Sequence, residues 1–211
     1  MIENIINNKE VWGDDKMWSR DGHEWSDHVF GTTENMWNNF IYPRICMGLK
    51  GEVLEIAPGY GRVTEKLLTR PINLQIIDLN ENCIEACKIK FKDKVKNYYI
   101  NNGKDLSQIS DNSLDFVLSW DSFVHMNQEV IESYINEINR VLKPEGIGWI
   151  HHSNLEGGQE DNFKNLGGRS NMTPKLMKEI IENQNMEVIH QEYIQWIETL
   201  DIITTFKKTK N

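Results

Sequence analysis

The chain has 211 residues, of which 39% are hydrophobic, enough for one domain with a sizeable core. Its 23 Lys and Arg against 32 Asp and Glu leave a formal net charge of −9, which speaks against DNA or RNA as partner, because phosphate backbones are held by clustered cations. No apolar run suits a bilayer crossing. Residues 1–8 lack the basic region and apolar run of a secretion signal, so a cytoplasmic location is expected.

Residues 1–50 form a leader carrying Trp12, Trp18, Trp25 and Trp37. Trp37, Phe40, Ile41 and Ile45 share one helical face and read as core. The other three tryptophans lie among charged residues with no clean period, and two readings stay open for them: a cover over a site, or plain packing. From residue 51 onward strand and helix patterns alternate, which argues for a parallel sheet with helices on both faces. The strands are expected at 53–56, 72–78, 98–100, 114–120 and 148–152. Helices are expected at 63–68, from an N-cap at Asn80 to Phe91, at about 129–143, and from Thr173-Pro174 to about Asn185, where a cap hydroxyl precedes proline at the first helical position. Residues 186–196 and 202–206 read as two closing strands in a hairpin. The sum is a seven-stranded, mostly parallel sheet in a three-layer α/β/α arrangement. The polar segment 155–172, rich in Gly and Asn, is too long for a plain connection and reads as a lid loop over the domain 51–211. Cys46, Cys83 and Cys87 show no metal-ligand spacing with His or Cys partners, so they read as packing residues and no metal site is expected.

The chemistry concentrates at Val53-Leu54-Glu55-Ile56-Ala57-Pro58-Gly59-Tyr60-Gly61-Arg62, an apolar strand running into a glycine turn and then a helix. Such a turn brings backbone N–H groups close to a polar or anionic ligand. The next strand ends in Asp78, placed to accept two hydrogen bonds from a ribose diol. The dinucleotide fingerprint requires a third glycine, and Arg62 stands in its place.

The stretch Glu55-Ile56-Ala57-Pro58-Gly59-Tyr60-Gly61 resembles instead the E-x-G-x-G-x-G motif of class I S-adenosylmethionine-dependent methyltransferases, with Ala57 at the first glycine. Three further stretches extend the resemblance to the C-terminus. Asn101-Asn102-Gly103 looks like the family's adenine-contacting turn, Asp115-Phe116-Val117-Leu118-Ser119 like its D-x-V-x-S strand, and Leu142-Lys143-Pro144-Glu145-Gly146 like its L-K-P-G-G turn. The resemblance implies a Rossmann-like fold and S-adenosylmethionine as cofactor. Its cofactor residues would be Glu55, Ala57, Gly59, Tyr60, Gly61, Asp78, Leu79, Asn102, Gly103, Ser119 and Trp120. Asp121-Ser122-Phe123-Val124-His125, His151-His152-Ser153-Asn154 and the tryptophan-rich leader are similar to a subgroup associated with bacterial surface polysaccharides, which implies a small hydroxylated acceptor such as a nucleotide-activated sugar or glycan.

A sugar hydroxyl attacks well only once its proton is taken, so a general base is expected near the carboxyl ends of the fourth and fifth strands. The candidates are Asp121, His125, His151 and His152. Adjacent strand residues point to opposite faces, so one of His151 and His152 is expected to face the cleft, with His152 favoured as nearer the strand's carboxyl end. His125 competes with it, and Asp121 would orient the base. Arg169 reads either as a clamp for an acidic acceptor or as a solvated loop residue. Rival readings are transfer to nitrogen, a nicotinamide-dependent oxidoreductase, and a cofactor-binding module without chemistry.

Overall fold

A computed structural model describes residues 1–155, 168–196 and 199–210. Most of the expected lid loop, residues 156–167, lies outside the described residues. Seven strands form one sheet in the order β3-β2-β1-β4-β5-β7-β6. They are β1 (Gly51–Ile56), β2 (Ile72–Asp78), β3 (Asn97–Ile100), β4 (Leu114–Ser119), β5 (Leu142–His152), β6 (Met186–Trp196) and β7 (Thr199–Lys208). The first five pair in parallel, and β7 runs antiparallel to both β5 and β6. Strand order reverses between β1 and β4, so the crevice beyond their carboxyl ends is where an open α/β sheet takes ligands.

Alternation along the strands sorts side chains into two cores. Leu54, Val117 and Ile150 face α7 (Gln128–Val141) and α8 (Pro174–Glu182), packing on Ile131, Ile135 and Ile181. Val53, Phe116, Leu118 and Trp149 face the other layer, built from α6 (Glu81–Phe91) and the leader. Trp37, Ile41 and Ile45 enter that second core together, as their shared helical face predicts. The leader comprises α1 (Ile2–Trp12), a 3₁₀ turn (Asp15–Trp18) and α2 (His23–Phe30). A run follows from α3 (Thr33–Asn35) through a π-helical stretch (Met36–Ile41) to α4 (Tyr42–Ile45).

Several boundaries differ from the sequence expectation, β7 among them, which runs from Thr199 to Lys208 rather than over 202–206. The helix after the glycine turn, α5 (Thr64–Leu67), is only four residues long. Strand β5 starts at Leu142 rather than 148, because Pro144 cannot continue α7 and the chain turns straight into extended backbone. Asn80 does precede α6, but its side chain makes no cap hydrogen bond; the Asp78 carboxylate takes the Asn80 N–H instead, at 2.9 Å.

Candidate active site

The turn after β1 is built on left-handed backbone. Ala57, Gly59 and Gly61 have φ of +58°, +57° and +86°. Glycine is required at the last two for space as well as angle: a Cβ on Gly59 would stand 2.4 Å from the Trp18 ring, and one on Gly61 2.4 Å from Phe91. Ala57 carries a Cβ into the same region, a strain of about 1–2 kcal/mol, and its N–H is held by the Ile77 carbonyl at 2.8 Å. Across the crevice Asp78 accepts the Gly59 N–H at 3.2 Å. Burial raises the Asp78 carboxyl to about 6, and its backbone N–H donors pull the other way.

Above this crevice lies a cavity of about 400 Å³, within the range of small-ligand sites. Of the expected cofactor residues, Ala57, Gly59, Asp78, Leu79, Gly103 and Trp120 line it. Glu55, Tyr60, Gly61, Asn102 and Ser119 do not. Glu55 faces away into the second core, where it accepts the Thr64 hydroxyl at 2.6 Å and burial raises it to about 7. Tyr60 donates its hydroxyl to Asp15, and Ser119 donates to the Ile56 carbonyl. Asn102 is exposed, its side chain spent on the Lys104 N–H and the Asp105 carboxylate within its own turn.

The leader supplies the cavity's roof. Asn4 and Asn8 of α1 both donate to the His125 carbonyl at 3.0 Å, which ties the helix to the segment after β4. The Trp12 ring lies 4.7 Å from the His125 ring, and Trp18 stacks on Tyr60 at 5.1 Å. Trp12, Trp18 and Trp25 all line the cavity while packing on one another, so for these rings covering and packing are one arrangement.

The carboxyl ends of β4 and β5 hold the titratable groups. Asp121 has φ +58°, and its Oδ2 accepts from Arg62 at 2.6 Å; Arg62 donates also to Ser26 at 3.0 Å. His151 accepts the Asp121 N–H at Nδ1 (3.1 Å) and donates from Nε2 to Asp201 (3.2 Å). Asp201, held down to about 2 by His151 and Arg169 against the opposing effect of its burial, also receives Arg169 at 2.8 Å. Arg169 is thus 5% exposed and paired, at the cavity wall, rather than solvated.

The histidines separate cleanly. His152 points to the α7–α8 side, donates from Nδ1 to the Ser153 carbonyl and accepts at Nε2 from Thr204, both at 2.8 Å. It is fully buried and does not line the cavity, so the structure does not put it where its position nearest the strand end suggested. His151 faces the leader side but lies behind Trp120, ring to ring at 4.5 Å, and is likewise outside the lining. His125 does line it. Its Nδ1–H donates to the Gly168 carbonyl at 3.0 Å, since a carbonyl can only accept, which leaves the lone pair on Nε2. Burial, reinforced by Arg169, lowers it to about 4.

Sequence reasoning missed Asn4, Asn8, Arg62, Trp196 and Asp201 as parts of this site. Arg62 was legible only as the residue replacing a glycine, and Asp201 lies 50 residues from the histidine it holds, with no spacing signal to join them.

The cavity fits S-adenosylmethionine. A carboxylate lines it at the β2 end, the turn Ala57-Pro58-Gly59 approaches it with no side chain larger than proline, apolar Ile5 and Leu79 pack beside Gly103, and Met126 completes the apolar lining. Residues 53–146 match the family model of a methyltransferase domain. Among solved structures the chain is similar to an S-adenosylmethionine-dependent methyltransferase from Methanosarcina mazei, at 17% identity and TM-score 0.67 over 81% of this chain and 99% of that one. It is similar to another from Clostridium acetobutylicum, at 12% and 0.70 over 92% and 99%. A Pyrococcus horikoshii protein shares 15% identity, with TM-score 0.69 over 95% and 99%. No curated protein matches. Likeness at such identities establishes the fold; together with the domain match it defines the class as a methyltransferase whose cofactor is S-adenosylmethionine.

Proposed function

We propose that the protein methylates a hydroxyl of a sugar or other small hydroxylated acceptor, with His125 as the general base. The observation that carries this reading is the state of the His125 ring. Its Nδ1–H is committed to the Gly168 carbonyl, and the ring lines the cavity with its lone pair on Nε2. A residue lowered to about 4 is neutral throughout the physiological range and so holds that lone pair ready. His151 and His152 lack this: each has both ring nitrogens engaged by protein groups.

Bound S-adenosylmethionine supplies an electrophilic methyl group on a sulfonium, with a neutral leaving group. Asp78 would hold the ribose hydroxyls, and the Ala57–Gly59 backbone would hold the amino-acid end. The leader tryptophans exclude water from the acceptor oxygen, which raises the share of productive orientations. As the acceptor oxygen bonds to carbon, its proton passes to His125 Nε2, and the nearby Asp121 charge steadies the imidazolium before it returns the proton to solvent.

Transfer to nitrogen is the second reading, favoured by the indole faces beside the Asp121 carboxylate, a combination that suits an amine. A pyrophosphate-bearing nicotinamide cofactor is disfavoured by Arg62, whose side chain is locked to Ser26 and Asp121 where a third glycine would be needed.

The test pairs calorimetry with product detection. The intact chain should bind S-adenosylhomocysteine and ignore NAD. His125→Ala should lose about 10²-fold or more of kcat on an identified acceptor while keeping cofactor affinity within a few-fold. Retained turnover in that variant would refute the base assignment.

A further inference from the structure

The charges at the acceptor end of the cavity are already matched among themselves. Arg62 is 7% exposed and spends its two terminal nitrogens on Ser26 (3.0 Å) and Asp121 (2.6 Å). Arg169 is 5% exposed and gives Nε and Nη2 to Asp201 at 3.3 and 2.8 Å, with Asp121 Oδ1 at 3.9 Å. Two guanidiniums thus meet two carboxylates, and beside them His151 accepts the Asp121 N–H while His125 donates to the Gly168 carbonyl. Among the described residues the cations at this wall are therefore the carboxylates' own partners, and a phosphate entering would have to break a buried ion pair to be held.

What the wall offers instead is lone pairs and flat apolar faces. Among the described residues Asp121 Oδ1 accepts no hydrogen bond, with Arg169 Nη2 3.9 Å away, and His125 Nε2 is an acceptor. Trp25, Trp120 and Trp196 present indole surface around them. Acceptor atoms flanked by aromatic faces complement a molecule with adjacent O–H donors on a ring whose C–H face is apolar.

We propose that the methyl acceptor is an uncharged polyol or glycoside free of phosphate, and that a sugar activated as a nucleoside diphosphate is not a substrate. This rests on the functional reading above and narrows it. The hydroxyl nearest His125 Nε2 gives its proton there as its oxygen forms the new bond to carbon and the sulfonium's carbon–sulfur bond breaks. Asp121 Oδ1 takes a hydrogen bond from the neighbouring hydroxyl and orients the ring.

Calorimetry on the intact chain saturated with S-adenosylhomocysteine tests this. The probes are methyl α-glucopyranoside, myo-inositol, ethanolamine, glucose 1-phosphate and uridine diphosphate glucose, each run against wild type and Asp121→Asn. The expected result is that at least one uncharged polyol binds at least tenfold more tightly than either phosphorylated probe. Asp121→Asn, by freeing Arg62 from its carboxylate, should weaken the polyol and strengthen the phosphorylated probes, each by about tenfold. Stronger binding of a phosphorylated probe to wild type would overturn the proposal, as would binding of ethanolamine alone or of none of the probes. Failure of S-adenosylhomocysteine itself to bind would fall on the methyltransferase reading instead, a separate result from the same instrument.

Discussion

Glu55 opens the glycine motif, and replacing it with Gln separates a cofactor role from a structural one. The side chain lies 3% exposed in the second core, with its carboxyl raised from 4.5 to about 7, chiefly by burial. A folded-state value above the unfolded one means that the folded protein binds the proton more tightly. The associated stability is fully present below pH 4.5 and is lost as pH rises through about 7. At about 1.4 kcal/mol per unit, a shift from 4.5 to about 7 amounts to about 3 kcal/mol. Glu55→Gln cannot titrate, so its stability minus that of wild type should rise by about 3 kcal/mol from pH 4.5 to about 8. The Thr64 hydroxyl still finds an acceptor in the amide, and any fixed penalty from the extra N–H is the same at every pH. Urea unfolding of both proteins across that pH range measures the difference, in which the other titrating groups largely cancel. S-adenosylhomocysteine affinity should stay within twofold, because Glu55 does not line the cavity. A flat difference would mean instead that Glu55 is ionised and compensated in the folded chain. A large loss of cofactor affinity would instead give Glu55 a direct binding role.

Three further outcomes follow from the same geometry. If His125 is the base, kcat should stay level from neutral pH down to about 5 and fall as the pH passes about 4; a fall centred near 6.5 would mean an unshifted histidine. Gly59→Ala places a Cβ 2.4 Å from Trp18 at φ +57°, so the 3₁₀ turn should lift from the glycine loop; tryptophan emission should shift to the red and cofactor affinity drop at least tenfold. Unchanged emission would show that the leader does not rest on that loop. Asp201→Ala leaves Arg169 without its closest carboxylate in a buried setting and should cost about 3–5 kcal/mol in urea unfolding, with a loss under 1 kcal/mol counting against a stabilising role for the Arg169–Asp201–His151 network.

Local chemistry made much of the fold legible. Val53, Leu54 and Ile56 are apolar on both faces of β1, as a central parallel strand must be, and Gly59 and Gly61 mark the bend because only they tolerate its angles without a clash. Thr173 announces α8 through its hydroxyl, which accepts the Leu176 N–H at 3.1 Å. Asp78 at the end of β2 is readable for the same reason, since its position along one strand determines where its carboxylate emerges. All of these depend on neighbours within a few residues.

The division of labour among side chains depended on packing between distant segments, and the sequence carries no short-range trace of it. That His151 and His152 face opposite ways follows from strand geometry, but which layer each meets was decided by how β5 sits between β4 and β7. His125 became the histidine on the cavity because α1 and Gly168, remote in sequence, close around its segment and fix its tautomer. Glu55 and Asp78 lie on the same face of the sheet, since Glu55 pairs with Ile76 two residues before Asp78; they parted company because Asp78 ends β2 at the crevice while Glu55 sits one residue inside β1, where Thr64 reaches it. The amino-acid order alone therefore determined the sheet, its glycine bend and the Asp78 carboxylate; the tertiary fold alone decided which polar groups face the cavity and which are spent holding one another in place.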